Sequence, residues 1–220
     1  MAKRIYVSPS DQDANLYAVG NTNEMVQCRK ISRALVAALK RCGFEAMENQ
    51  TDTMEERVEE SNRWGADLHL PVHTNAFNTE VQGTRLMSYD LSGEGYQICQ
   101  AIMKTLAPIT PGTSDSVTAR PGLYEIRAAV APTAYIEVAF HDNKTEARWI
   151  LDHIQDIAEA ICKGICNYFG YRYAEPAAEQ EENTIYRVQL GAFRNRENAE
   201  RMLDTLKKAG FDAFIAQGKL

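Results

Sequence analysis

Short β-prone apolar runs alternate with amphipathic helical stretches from Ile5 to Phe169, and this alternation restricts the fold more than any other feature of the chain. Ile5-Tyr6-Val7 reads as a buried strand ended by Ser8-Pro9-Ser10. From Glu24 onward Cys28, Ile31, Leu35, Ala38, Leu39 and Cys42 recur at helical spacing, and Gly43 supplies the stop. Phe44 to Met47 predicts a strand, Met54 to Trp64 a helix closed by Gly65. From Asp67 to His73, Leu68, Leu70 and Val72 point one way and His69, Pro71 and His73 the other, which is strand periodicity. Ser92 to Leu106 predicts a helix, Pro108 to Gly122 a long turn-rich loop, Thr133 to Phe140 a strand, and Thr145 to Tyr168 one long helix. Strands and helices in this order predict an α/β fold: a mostly parallel twisted sheet with helices on both faces. Ligands of such sheets sit beyond the carboxyl ends of the strands. The polar residues after Val7, Val72 and Ile136 are therefore expected to converge.

The composition narrows the class. A chain of 220 residues with 45% hydrophobic and 25% charged side chains can bury a core without staples. A formal net charge of −6 argues against nucleic acid as a partner. No apolar stretch is long enough to span a bilayer. Met1 to Tyr6 lacks a basic segment followed by an apolar one, so no signal peptide is expected. The five cysteines are odd in number and form no Cys-x-x-Cys pair. That argues against a disulfide framework and against a Cys-built zinc site. Cys28, Cys42, Cys162 and Cys166 fall in helical patterns, where free cysteine acts as a small hydrophobe.

Three residues stand out chemically. On a strand, His69 and His73 lie roughly 13 Å apart, too far to share one ion. His73 ends its strand and is followed by Thr74-Asn75-Ala76, so it is the site candidate; His69 is read as a hydrogen-bonded core histidine. Glu137 lies inside the apolar run Tyr135-Ile136-Glu137-Val138-Ala139-Phe140. A carboxylate there is costly unless paired, protonated or bound to a cation, which makes it the catalytic candidate; a buried pair with Arg120 or Arg127 is the alternative. Glu24 heads the first long helix, where the helix dipole alone would favour an acid, and it joins the site only if it faces the same edge as His73.

With these residues in order, the chain from about Lys3 to Tyr171 resembles the zinc-dependent N-acetylmuramoyl-L-alanine amidases of bacterial cell walls and phage lysins. The anchors are Glu24, the run Leu70-Pro71-Val72-His73-Thr74-Asn75-Ala76, and Tyr135 to Asn143 with Phe140-His141-Asp142-Asn143. The resemblance implies a peptidoglycan hydrolase binding one zinc ion through Glu24 and His73. In it Glu137 takes a proton from water and returns it to the leaving amine, cleaving the amide between N-acetylmuramic acid and L-alanine. Asn75 and Arg120 are implied substrate contacts. The family's opening Asp-Pro-Gly-His-Gly is replaced here by Ser8-Pro9-Ser10-Asp11-Gln12, as in a Firmicute- and phage-type branch, so the third ligand is open among Gln12, Asp11 and His141. The competing class is a non-catalytic peptidoglycan binder with a degraded zinc site. The resemblance also implies action on the cell wall, which the protein would reach by lysis, a holin or non-classical export.

After Tyr173 the composition changes. Residues 1–173 are read as the amidase-like domain, 174–184 as an acidic linker, and 185–220 as a β-α-β tail with strands at Ile185–Leu190 and Phe211–Ala216 and a helix at Asn195–Ala209. Its strings Tyr186-Arg187-Val188-Gln189-Leu190-Gly191-Ala192-Phe193 and Leu206-Lys207-Lys208-Ala209-Gly210-Phe211 resemble the first half of a SPOR domain, a peptidoglycan-binding module whose second half is missing here.

Overall fold

A computed structural model describes residues 2–51, 53–176 and 189–216. The chain divides into two compact units, Met1–Ala177 and Ala178–Leu220. The first holds a six-stranded sheet in the order β2-β1-β3-β6-β4-β5. Its strands are β1 (Arg4–Pro9), β2 (Glu45–Glu48), β3 (Leu68–Asn75), β4 (Arg85–Ser88), β5 (Ser116–Ala119) and β6 (Tyr135–Phe140). Its helices are α1 (Glu24–Arg41), α2 (Met54–Trp64), α3 (Glu94–Leu106), α4 (Tyr124–Ala128), α5 (Lys144–Asp152) and α6 (Ile154–Phe169). Four strands run parallel; β4 is antiparallel to β6 and carries β5 parallel to itself.

Local chemistry explains most of the boundaries. The Asn23 side chain accepts from Val26 N–H and starts α1, while Gly43, at φ +92°, turns the chain away after it. Thr53 and Glu56 form a reciprocal capping box on α2, and Gly65 ends it in the left-handed conformation. The strand alternation then sorts side chains by face. Ile5, Val7, Leu68, Leu70, Val72, Ile136 and Val138 join Ile31, Leu35, Ile98, Ile102, Ile157 and Ile161 of α1, α3 and α6 in one core. The opposite face carries Tyr6, Ser8, His69, His73 and Glu137 and meets α2 and α4, where Tyr6 reaches Glu60 and Asn62 reaches the Ala128 carbonyl. The face that packs is apolar; the face that is only partly covered is polar.

Several expectations need correction. The loop at 108–122 contains β5, and β4 and α4 were not anticipated. These elements have four or five residues, too few to display a period. The long helix at 145–168 breaks at His153 (φ −126°, ψ 29°), whose ring Nδ1 meets the Trp149 carbonyl at 2.8 Å. The apolar stripe continues through the break, which is why spacing alone does not reveal it. In the second unit, α7 (Arg196–Lys208) forms with Asn195 as its cap. Phe211–Ala216 is not a strand, since β-prone residues become one only when paired. Most of the strand expected at 185–190 lies outside the described residues.

Candidate active site

β1, β3 and β6 are parallel neighbours, so their carboxyl ends share one edge. Register places His73 beside Glu137. Glu24, in the first turn of α1, is 1% exposed and lies against the end of β3. Its Oε1 is 2.9 Å from His73 Nδ1 and accepts the Thr74 N–H at 3.3 Å. Asn15, in the loop after β1, donates through Nδ2 to Glu24 Oε2 at 2.6 Å and to Gln12 Oε1 at 2.7 Å. Gln12 in turn brings its Nε2 to 3.5 Å from His73 Nδ1. The His73 ring stacks on Tyr135 at 4.6 Å, which fixes its plane.

The electrostatics follow from this packing. Burial would raise the Glu24 pKa, but the hydrogen bonds and charge of His73, with Asn15 and Ser10, hold it below the usual value. Burial would lower the His73 pKa, yet Glu24 and Glu137 raise it. The two shifts agree on a charged pair. Glu137 behaves oppositely. Burial and the Glu24 charge, offset in part by His73, push it up to about 7. Its Oε2 is buried with no hydrogen-bond partner, and no Arg pairs with it among the described residues. A carboxyl poised near neutrality with an uncommitted oxygen is suited to move protons.

The donor set has the chemistry and spacing of a zinc site. Nitrogen and oxygen ligands bound at about 2.0–2.1 Å in a tetrahedral site stand roughly 3.3 Å apart. Glu24 Oε1, His73 Nδ1 and the Gln12 amide span that range, at 2.9 and 3.5 Å around His73. Glu24 and His73 fit, and the Gln12 amide completes the spot if it turns its oxygen inward, away from Asn15. No other His, Cys, Asp or Glu among the described residues brings a ligand atom within 4.8 Å of both Glu24 and His73. Glu137 therefore does not bring a carboxylate oxygen that close to both.

The other candidates are distributed differently. Asp11 forms an ion pair with Arg57 at 2.6 Å, so its carboxylate is committed away from His73. His141 stacks on Tyr17 at 5.2 Å and holds its Nδ1 at 2.9 Å from the Thr74 carbonyl, bracing the end of β3. Burial lowers its pKa and favours the neutral ring. Asp142 accepts from the Phe77 and Thr79 N–H groups, and Asn143 caps α5. The whole His141-Asp142-Asn143 string thus organises the loop after β3. Asn75 ends β3 at the site edge, its Oδ1 accepting from Ala76 N–H. Arg120 is exposed and follows β5, which runs antiparallel to β6. It lies about four residues, roughly 13 Å, beyond the level of Glu137, toward the opposite edge. His69 meets Glu125 through Nε2 at 3.3 Å, and Ser8 donates to the same oxygen at 2.6 Å.

Sequence reasoning missed Asn15 and Glu125. Glu125 sits at 3% exposure in Leu123-Tyr124-Glu125-Ile126. An acid among apolar residues was the signal that picked out Glu137, and it applied here too. Asn15 carried no local signal.

Fold and site together define an α/β protein with a Glu24–His73 pair and the Glu137 carboxyl at the carboxyl edge of a parallel sheet. The chain belongs to the N-acetylmuramoyl-L-alanine amidase family (Amidase_3), which matches residues 9–167, and a SPOR domain matches residues 168–219. The SPOR match begins upstream of the composition change at 174, in the last turn of α6. The chain is 27% identical over 171 residues to the N-acetylmuramoyl-L-alanine amidase CwlM of Bacillus licheniformis, covering 76% of this chain and 63% of that protein. It is 23% identical over 171 residues to the sporulation-specific N-acetylmuramoyl-L-alanine amidase of Bacillus subtilis, with the same coverage of 76% and 63%. It thus spans under two thirds of these relatives. The catalytic domain of CwlV from Bacillus (Paenibacillus) polymyxa var. colistinus superposes with a TM-score of 0.69 at 16% identity, covering 77% of this chain and 99% of that one. AmiC2 of Nostoc punctiforme gives 0.66 at 19% identity, covering 76% and 97%. These likenesses establish the fold.

Proposed function

We propose that the chain hydrolyses the amide between N-acetylmuramic acid and the L-alanine of the peptidoglycan stem peptide. The observation that carries this is Glu137: a half-buried carboxyl whose Oε2 is enclosed without a hydrogen-bond partner, its pKa pushed up to about 7, in register beside His73. Family membership supplies the bond class. Glu24, His73 and Gln12 would hold one zinc ion, with Asn15 orienting Glu24 and Gln12 and Tyr135 fixing the His73 ring. Zinc bound there supplies Lewis acidity toward water and the amide carbonyl. Glu137 accepts a proton from the attacking water at Oε2 and returns it to the departing amine of L-alanine. Asn75, at the strand end, lines the approach for the glycopeptide. The SPOR tail adds a second contact with peptidoglycan. No helix among the described residues is long and apolar enough to cross a membrane.

The test is mass spectrometry of digested muropeptides together with metal analysis. Free stem peptides beginning with L-alanine are expected, with about one zinc retained at this pocket. Glu137→Gln should keep that zinc and lose about 10²–10⁴-fold in turnover. His73→Ala and Gln12→Ala should weaken zinc binding, His73→Ala more. Cleavage between other residues of the stem, or Glu137→Gln turnover within about threefold of wild type, would overturn the assignment.

A further inference from the structure

Cysteine positions far apart in sequence meet at the other end of the first unit. Cys42 is the C-cap of α1, and Cys162 and Cys166 stand one turn apart on the same face of α6. Packing of α1 against α6 brings their sulfurs together, all within 4.8 Å of one another, with Cys42 and Cys162 at 3.7 Å. Among the described residues no other three His, Cys or acidic groups converge in this way. The sequence reading, which set a Cys-built metal site aside for want of a Cys-x-x-Cys pair, had no means of seeing a cluster made by tertiary packing.

The spacing matches a specific chemistry. Three sulfurs bound to one ion at about 2.3 Å stand roughly 3.8 Å apart in tetrahedral and 4.0 Å in trigonal geometry. The surroundings give the sulfurs an amide donor and a nearby cation. The Ala174 N–H points at Cys42 Sγ at 3.4 Å, a hydrogen bond that stabilises negative sulfur. Arg41 lies alongside, held at 2.9 Å by the Ala174 carbonyl and by Glu159. Cysteines acting only as small hydrophobes need neither the sulfur convergence nor the amide donor. Cys162 and Cys166 are fully buried and the residues around them are apolar, so soft ions are favoured over hard oxygen-seeking ones.

We propose that Cys42, Cys162 and Cys166 form a second, structural metal site that takes one thiophilic d10 cation, zinc(II) or copper(I). Binding exchanges three S–H bonds for three metal–sulfur bonds and releases three protons; no electrons are transferred. The site is remote from the candidate active site, because Glu24 and Cys42 stand at opposite ends of α1, about 27 Å apart at 1.5 Å per residue. Its effect is to pin the end of α1 to α6 and to Ala174, near the end of the first unit.

The test uses the full, reduced chain under anaerobic conditions, with cobalt(II) as a spectroscopic probe and then zinc(II) and copper(I) as competitors. A thiolate-to-cobalt charge-transfer band saturating at one equivalent is expected in the wild type and in His73→Ala, since among the described residues no Cys sulfur lies within 4.8 Å of both Glu24 and His73. Cys166→Ser and Cys166→Ala should both lose the band while keeping the far-ultraviolet circular dichroism and amidase turnover within about twofold. Displacement at the lower concentration by zinc or by copper identifies the ion. Absence of the band, its loss in His73→Ala, or its persistence in both Cys166 variants would each overturn the proposal.

Discussion

At the residue scale, Glu137 is held in an environment that opposes its charge. Its pKa of about 7 in the folded chain exceeds the ordinary 4.5. Below about pH 4.5 both folded and unfolded forms carry the proton, so the group does not affect stability. Between about 4.5 and 7 the unfolded chain ionises first, and stability falls as pH rises; above 7 the cost is constant. At 1.36 kcal/mol per pH unit, and allowing for partial exposure, that cost is about 2–3 kcal/mol. Glu137→Gln should therefore stabilise the metal-free protein by about 2–3 kcal/mol at pH 8 and by almost nothing at pH 4, as read from urea unfolding at the two pH values. An equal effect at both would show that the carboxyl is not strained. This residue was legible in the sequence because an acid within an apolar strand is anomalous before any coordinates exist. Its neighbours were less so. Asp11 and Gln12 are adjacent in the chain, and only the position of Arg57 decides which of them turns toward His73. The same holds for His141, whose place beside Thr74 makes it a brace.

At the scale of elements, strong periodicity gave true boundaries: α2 spans Met54–Trp64 as its cap and glycine imply. Where elements shrink to four or five residues, as in β4, β5 and α4, the period has no room to repeat and the long-range partner creates the element. The antiparallel β4 follows from the same cause and moves Arg120 away from the site edge. Glycine in a helix interior shows the reverse case, a local weakness that tertiary packing explains. In α6, a Cβ on Gly164 would meet the Ile102 Cα at 2.6 Å and the Ala101 carbonyl oxygen at 2.9 Å. Backbone cannot yield as a side-chain tip can, so α3 and α6 would have to separate. The intrinsic preference for alanine in a helix, up to about 1 kcal/mol, is then outweighed by overpacking of about 1–3 kcal/mol. Gly164→Ala is expected to lower stability by about 1–2 kcal/mol in denaturant titration, with the active-site pKa profile unchanged. A stabilised Gly164→Ala would mean that α3 and α6 pack less closely than drawn.

At the scale of the whole molecule, the two units differ in how they hold together. The first has a continuous core of fully buried Ile, Leu and Val from strands and helices. In the second, α7 buries none of its residues, and Phe211 and Phe214 are 61% and 78% exposed. A segment of this size has little core to draw on, and exposed aromatic residues on it offer a surface for another molecule. The tail lies within the residues that match a SPOR domain, 168–219, and peptidoglycan is the partner proposed for it. If the tail holds the chain on insoluble peptidoglycan, its contribution is effective concentration at the substrate, and the chemistry of the first unit is unaltered. A chain ending at Ala177 should then keep the thermal midpoint of the larger transition, because no described residue of the second unit belongs to that core. It should also keep turnover on soluble muropeptides, where tethering confers no advantage. On intact sacculi it should lose about 10-fold or more in rate at low enzyme concentration, with a matching loss of co-sedimentation, and the deficit should fade as enzyme is raised. Equal loss on soluble and insoluble substrates would place the tail in the catalytic unit's own function, and unchanged co-sedimentation would assign wall retention to the first unit alone.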